Sequence, residues 1–336
     1  DLLDEAKESN PSLEWVDPDG TVTLQYLALL KNSEQVDYVS SKKAKLVDSL
    51  DAKTVQTNWH SAVGSLTHLG DLLGEIGFKS GKTLPYEAVV PGIAFAISSM
   101  PSKAAKQSEI RAGLKRFIVG TGLNQRYTEG TDAKREADVA EFKELVLAGK
   151  VPDHLSYPVN TASLVQSGMS GARYKTFLGL LNAESPRDFL NNTILGLDYP
   201  DRTQAEIHHV FPKSHLAKIS SKKVAKAKPW EVVLNAMLLS PETNKWVSND
   251  PPSTYISRSI ANLVENHHLT ESAARRKIKE DLEKQFIDDS GFECLLKDDF
   301  DGFLAARAKN LAMKLQTIGL DAQYVDQNSD FDQDIE

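Results

Sequence analysis

The chain has 336 residues, and 40% of them are hydrophobic, which suits one large domain or two smaller ones with buried cores. The formal net charge of −8 argues against a general nucleic-acid coat, and no apolar run reaches the 18 residues of a membrane span. A single cysteine, Cys294, excludes an internal disulfide and a zinc site built from cysteines. With no signal peptide in the acidic stretch 1–4, we expect a cytoplasmic protein.

The first part of the chain, 1–150, is predicted to be a helical domain. Apolar residues recur at intervals of three and four over 51–76, which is typical of an amphipathic helix. Further helices are predicted over 21–30, 87–100, 107–120 and 132–149. Gly149 and Pro152 are expected to end the last of these.

The residues best suited to catalysis or metal binding lie between 206 and 244. The short, partly β-branched segment 205–211 ends at Pro212 and is predicted to be a strand carrying His208 and His209. Neighbouring side chains on a strand face opposite ways, so both rings can enter one site only where the strand ends or twists. A second strand is predicted over 236–239.

A helix is predicted to begin directly after the second strand. Ser240 is a good N-cap residue and Pro241 suits the first helical position, which places Asn244 about one turn into the helix. The local order is therefore strand, long loop, strand, helix. We place this unit in a second domain, 151–320, with its core at about 200–260.

Lysines concentrate in and around the long loop. From Lys213 to Lys245 there are seven lysines and two glutamates. A basic loop beside a histidine would attract a phosphate backbone, although a solvated lysine-rich loop is the alternative. We predict phosphate contacts from Lys213 and Lys245, and from Arg258 on a further helix predicted over 255–263.

The last part of the chain is predicted to contain two more helices, over 271–286 and 300–320. The pair His267–His268 is interpreted as a loop or helix C-cap feature and not as a metal site. The stretch 321–336 holds six acidic residues and no basic one, so we expect a disordered acidic tail.

The segment HHVFPKS, followed by NAMLLSPETNKWVSNDPPSTYI, resembles the C-terminal nuclease region of GmrSD-type modification-dependent restriction enzymes. Relatives of that family include the phosphorothioate-sensing SspE-type defence nucleases. The resemblance implies a mainly α fold, a helical domain with an embedded small ββα-metal (HNH, or His-Me finger) nuclease unit. The family also has an Arg-Tyr stretch like Arg126–Tyr127, with a role in DNA contact or in packing.

The resemblance also implies a role for each residue of the motif. His209 is expected to be the general base that takes a proton from water, and His208 the first metal ligand. Asn244 is expected to be the second ligand, while Asn235 would hold the loop and orient His209.

These residue types suit phosphodiester hydrolysis, which needs an attacking water, a base and a cation that offsets the developing charge. Histidine is partly neutral at pH 7, because its ordinary pKa is about 6.5. The expected cofactor is a divalent metal, Mg²⁺ or Mn²⁺, which takes few protein ligands. Many family members carry an acid at the position of His208, and a nitrogen ligand there also suits Zn²⁺ or Ni²⁺.

The expected function is a divalent-metal-dependent DNA endonuclease, nicking one strand per site and acting in defence against foreign or phage DNA. The expected partners are DNA and an N-terminal sensor or NTPase domain of the same protein, because the chain starts without Met and lacks the family's sensor motif. No membrane partner is expected. Two alternatives stay open: a non-catalytic helical adaptor with a degenerate nuclease unit, and a metal-dependent RNase.

Overall fold

The computed structural model describes residues 2–34, 40–101, 103–198, 205–219, 228 and 230–325, and it is mainly helical. The chain divides into two compact units, one of residues 1–157 with 198–200 and one of 158–197 with 201–336. Within the described residues, none of the helices combines the length and apolar character that crossing a membrane requires.

The first unit is built from α-helices joined by short 3₁₀ turns. They are α1 (Leu2–Ser9), α2 (Leu13–Val16), α3 (Thr21–Ser33), α4 (Leu46–Ser49), α5 (Ala52–Glu75), α6 (Val90–Ser98), α7 (Gln107–Leu123), α8 (Thr131–Ala148) and α9 (Asp153–Ser156). The predicted helix 51–76 is α5, and Asp51 caps it by accepting the amide hydrogen bond of Thr54. The helices predicted over 107–120 and 132–149 are α7 and α8.

Helix α6 lies at the centre of this unit and packs against α3, α5 and α8. Its residues from Val90 to Ala96 are all buried, which explains its uniformly apolar sequence. A Cβ at Gly92 would lie 2.8 Å from the carbonyl oxygen of Arg135 on α8. The close approach of α6 and α8 therefore requires glycine at position 92.

The Arg126–Tyr127 stretch has a packing role in the structure. Arg126 forms ion pairs with the buried Asp138 at 2.5 Å and with Glu141 at 2.8 Å. The Tyr127 hydroxyl donates a hydrogen bond to the same Asp138 carboxylate. Burial raises the pKa of Asp138, an effect that these hydrogen bonds and Arg126 oppose.

The second unit contains the predicted site. Its helices are α10 (Gly171–Ala183), α11 (Lys213–Ile219), α12 (Pro241–Val247), α13 (Pro252–His267), α14 (Glu271–Glu283), α15 (Asp289–Leu296) and α16 (Phe300–Thr317). Helix α15 has no counterpart among the predicted elements. As expected, His268 is the C-cap of α13, in left-handed conformation.

Among its described residues this unit also has four short strands, and they form two pairs. β1 (Val159–Asn160) is parallel to β4 (Ala322–Gln323), while β2 (Glu206–His209) is antiparallel to β3 (Ala236–Leu239). The predicted acidic tail began too early at 321, because Ala322 is buried and pairs with β1. The rest of that prediction, 326–336, lies outside the described residues.

Candidate active site

The two predicted strands and the helix after them are present in the second unit. The connection predicted as a loop contains α11, and residues 220–227 and 229 of it lie outside the described residues. In the β2–β3 pair, His208 lies opposite Met237 and His209 lies opposite Ala236. Helix α12 contacts both strands. The Ser240 hydroxyl accepts the amide hydrogen bond of Thr243, and Pro241 occupies the first turn, so the helix begins where the sequence predicts.

Two buried side chains fix the backbone that follows His209. The Asn235 carboxamide accepts a hydrogen bond from the amide of Phe211 (2.8 Å) and donates to the carbonyl of Phe211 (3.1 Å). The backbone carbonyl of Asn235 accepts from the amide of Val210 (2.8 Å), and the Tyr255 hydroxyl donates to the carbonyl of Val210 (3.0 Å). All four backbone polar groups of residues 210 and 211 are thereby satisfied, which holds the chain where it leaves the strand.

Asn235 thus holds the backbone after His209, whereas none of its hydrogen bonds among the described residues goes to the His209 ring. Its side chain is fully buried and also donates to the carbonyl of Trp230 (3.0 Å). Any influence on the orientation of His209 passes through the backbone of Val210 and Phe211.

Within the described residues the sheet consists of β2 and β3, so the outer edge of β3 has no neighbouring strand. Side chains form the hydrogen bonds of the backbone groups along this edge. The Gln285 carboxamide pairs with both the amide (2.7 Å) and the carbonyl (2.9 Å) of Leu238. One terminal nitrogen of Arg307 donates to the carbonyls of Leu234 (2.6 Å) and Ala236 (2.8 Å). A buried strand edge without such partners would carry unpaired polar groups.

Arg307 is a fully buried cation. Its Nε and second terminal nitrogen donate to the carbonyl of Gln285. Its guanidinium carbon lies 5.0 Å from the ring centroid of Phe177 and 5.6 Å from that of Phe303. Burial lowers the pKa of Arg307 to about 9, which still leaves it protonated at pH 7. Carbonyl oxygens and aromatic faces therefore stabilise this charge.

Asp188 joins the end of β3 to the start of α12. Its fully buried carboxylate accepts hydrogen bonds from the amide of Ser240 (2.9 Å) and the hydroxyl of Thr243 (2.6 Å). It also accepts from the amides of Leu190 and Asn191. Asp188 thus fixes the helix that carries Asn244 against the strand.

His208 and Asn244 lie next to each other. The Asn244 side chain lies close enough to the imidazole to favour its protonated form, and its nitrogen donates a hydrogen bond to Glu206 at 2.5 Å. Burial, reinforced by His209, lowers the pKa of His208 to about 4, although Asn244 and Glu206 oppose the shift. His208 is therefore neutral at pH 7, the form in which an imidazole can bind a metal.

His209 has different neighbours, as expected for adjacent residues of a strand. Burial and the charge of Lys213 lower its pKa, and Glu231 opposes them. Its ring is therefore also neutral at pH 7 and able to accept a proton.

The donor atoms at this site fit a bound cation. Within the described residues, the Nε2 atoms of both His208 and His209 are buried without a hydrogen-bond partner. Buried polar atoms are ordinarily paired, so an unpaired imidazole nitrogen is consistent with a ligand or substrate position. No group of three or more His, Cys, Asp or Glu side chains in that part of the chain could hold a metal. A pair of one imidazole and one carboxamide does not depend on such a group.

The predicted phosphate-binding residues differ in their surroundings. Lys213 is exposed, with its ammonium over the ring of Trp230 (5.4 Å), and Lys245 is exposed in the last turn of α12. Arg258 instead forms an ion pair with Asp250 (2.8 Å) and stacks on Trp246 (4.8 Å) while donating to its carbonyl. Three of the seven lysines, at 222, 223 and 226, lie outside the described residues.

Several residues that shape this site were not identified from the sequence. They are Asp188, Glu206, Tyr255, Gln285 and Arg307. For Arg307 a signal existed, because it lies four residues from both Phe303 and Leu311, two apolar residues of the helix predicted over 300–320. A charged residue at such a position indicates a buried polar network. The sequence carries no such signal for the other four.

The comparisons add one distant relative. No known family model matches the chain. The chain is similar to an uncharacterized protein of Methanocaldococcus jannaschii. The two are 27% identical over 217 residues, which is 57% of this chain and 35% of the relative. The chain thus spans about a third of that relative's length.

Proposed function

We propose that the chain is a divalent-metal-dependent DNA endonuclease that nicks its substrate, with the small β2–β3–α12 unit as an HNH active site. One observation carries the proposal: two neutral imidazoles with buried, unpaired Nε2 atoms lie on a strand held beside Asn244. The resemblance of the segment HHVFPKS to GmrSD-type nucleases supports the same reading.

In this proposal the two histidines have separate roles. The neutral ring of His209 takes a proton from the attacking water. The Nε2 atom of His208 and the carboxamide oxygen of Asn244 would hold the cation. When bound, a divalent cation offsets negative charge on the phosphate and on the leaving oxygen.

The surrounding hydrogen bonds supply preorganisation. Asn235 and Tyr255 fix the backbone after His209, and Asp188 fixes the start of the helix that carries Asn244. A general base works only within hydrogen-bond reach of the proton it removes, so a small displacement of this backbone reduces the rate. The exposed Lys213 and Lys245 would attract the phosphate backbone, whereas Arg258 would first have to leave Asp250.

The biological role that we propose rests on the resemblance alone. It is defence against foreign DNA, with a sensor or NTPase domain of the same protein recognising the target.

The test is a plasmid-nicking assay with Mg²⁺ and with Mn²⁺. We expect His209→Ala to abolish cleavage while the fold stays intact, because the substitution removes the base and no buried structural hydrogen bond. The matched control is His267→Ala, which removes an exposed histidine from the end of α13 and should leave cleavage unchanged. Circular dichroism of both variants checks the fold.

Cleavage by His209→Ala at the unsubstituted rate would overturn the assignment of the base. A chain that cleaves neither DNA nor RNA with either metal would favour the helical adaptor. Cleavage of RNA alone, in a parallel reaction, would favour the RNase.

A further inference from the structure

Within the described residues, Glu206 is the acidic side chain that contacts the proposed metal ligands. It stands two residues before His208 on β2, so the two side chains leave the same face of the strand. Its carboxylate accepts a hydrogen bond from the side-chain nitrogen of Asn244, which lies on α12. This hydrogen bond joins β2 to α12 at Asn244, one of the two proposed metal ligands.

This contact determines which end of the Asn244 carboxamide would be available to a cation. A carboxamide has one oxygen, which can bind a metal, and one NH₂ group, which cannot. Rotating the group by half a turn would place its oxygen against the Glu206 carboxylate and break the hydrogen bond. The carboxylate therefore favours the orientation in which the nitrogen faces Glu206 and the oxygen is directed away from it.

We propose that Glu206 is a positioning residue for the cation, because it holds the nitrogen of the Asn244 carboxamide and so directs the oxygen of that group away from the carboxylate, where it could bind the metal. The inference rests on the proposed function. Partners of metal ligands act in this way in general, and losing one lowers metal affinity by roughly 10- to 100-fold.

The experiment measures Mn²⁺ binding by isothermal titration calorimetry, without substrate, on the full chain and on substituted chains. Glu206→Ala removes the acceptor and should weaken binding by roughly 10- to 100-fold. Glu206→Gln keeps an acceptor oxygen without the charge and should bind about as tightly as the unsubstituted chain. Glu265→Ala, at an exposed position of α13, controls for the loss of one negative charge.

Two reference variants, His208→Ala and Asn244→Ala, separate this inference from the proposed function. If the unsubstituted chain does not bind Mn²⁺, or both reference variants bind it equally well, the metal site itself is refuted. If they lose binding and Glu206→Ala does not, only the role of Glu206 is refuted. If Glu206→Gln loses as much affinity as Glu206→Ala, the carboxylate acts through its charge and the positioning role is refuted.

Glu206 is exposed, so its substitution should leave the fold unchanged. Equal thermal unfolding temperatures for the Ala, Gln and unsubstituted chains would show that a change in Mn²⁺ affinity reflects the site. Glu206→Ala with weakened Mn²⁺ binding and an unchanged unfolding temperature is the result that supports the proposal.

Discussion

Replacing Asn235 by alanine should destabilise the second unit by about 3 to 5 kcal/mol. The fully buried carboxamide makes three hydrogen bonds, two to Phe211 and one to Trp230. Alanine cannot replace them, and each buried group left unpaired costs about 1 to 3 kcal/mol. Because whole domains are stable by only about 5 to 15 kcal/mol, this single change removes a large part of the total.

Aspartate at the same position gives a sharper test. Asn235→Asp keeps the oxygen that accepts from the amide of Phe211, but it replaces the donor nitrogen by a second oxygen facing two carbonyl groups. The carboxylate would be buried and repelled, so its pKa in the folded state is raised above the unfolded value. Stability should therefore fall as pH rises through the unfolded pKa of about 4.

Amide hydrogen exchange measures the local effect. The amide of Phe211 is bonded directly to the Asn235 side chain, so its protection should fall by more than about 100-fold in Asn235→Ala, at 1.4 kcal/mol for each factor of ten. Asn266→Ala, at an exposed position of α13, should leave protection unchanged. A loss of protection at Phe211 below tenfold would refute the view that Asn235 holds this turn.

Two further predictions concern buried nitrogen groups. His208 has its folded-state pKa lowered from 6.5 to about 4, so the unfolded chain binds the proton more tightly and stability should fall by about 3 kcal/mol as pH drops from 6.5 to 4. Urea unfolding at both pH values should show a smaller pH dependence in His208→Ala, and an unchanged one would contradict the burial of this ring. Arg307→Met leaves three buried carbonyl groups without donors and should cost about 3 kcal/mol or more in urea unfolding. Arg276→Met, whose side chain is 72% exposed, should stay within about 0.5 kcal/mol of the unsubstituted chain, and an equal loss in both would refute the special role of Arg307.

The sequence alone determined the elements whose causes are local. The three- and four-residue spacing of apolar side chains identified α5, and Asp51 marked its start. Likewise, the pair Ser240–Pro241 marked the start of the helix that carries Asn244. The first site strand was predicted up to Pro212, but β2 ends earlier, at His209. Such signals act over one or two helical turns, so no knowledge of the tertiary fold is needed to read them.

Only the tertiary structure decided which groups support the site. Gln285 and Arg307 satisfy the outer edge of β3 from positions 47 to 73 residues away along the chain, and Asp188 reaches Ser240 across 52 residues. No spacing rule connects residues so far apart, because any polar side chain that packing brings to an unpaired strand edge can satisfy it. The lowered pKa of His208 has the same origin, since it depends on burial by the folded chain.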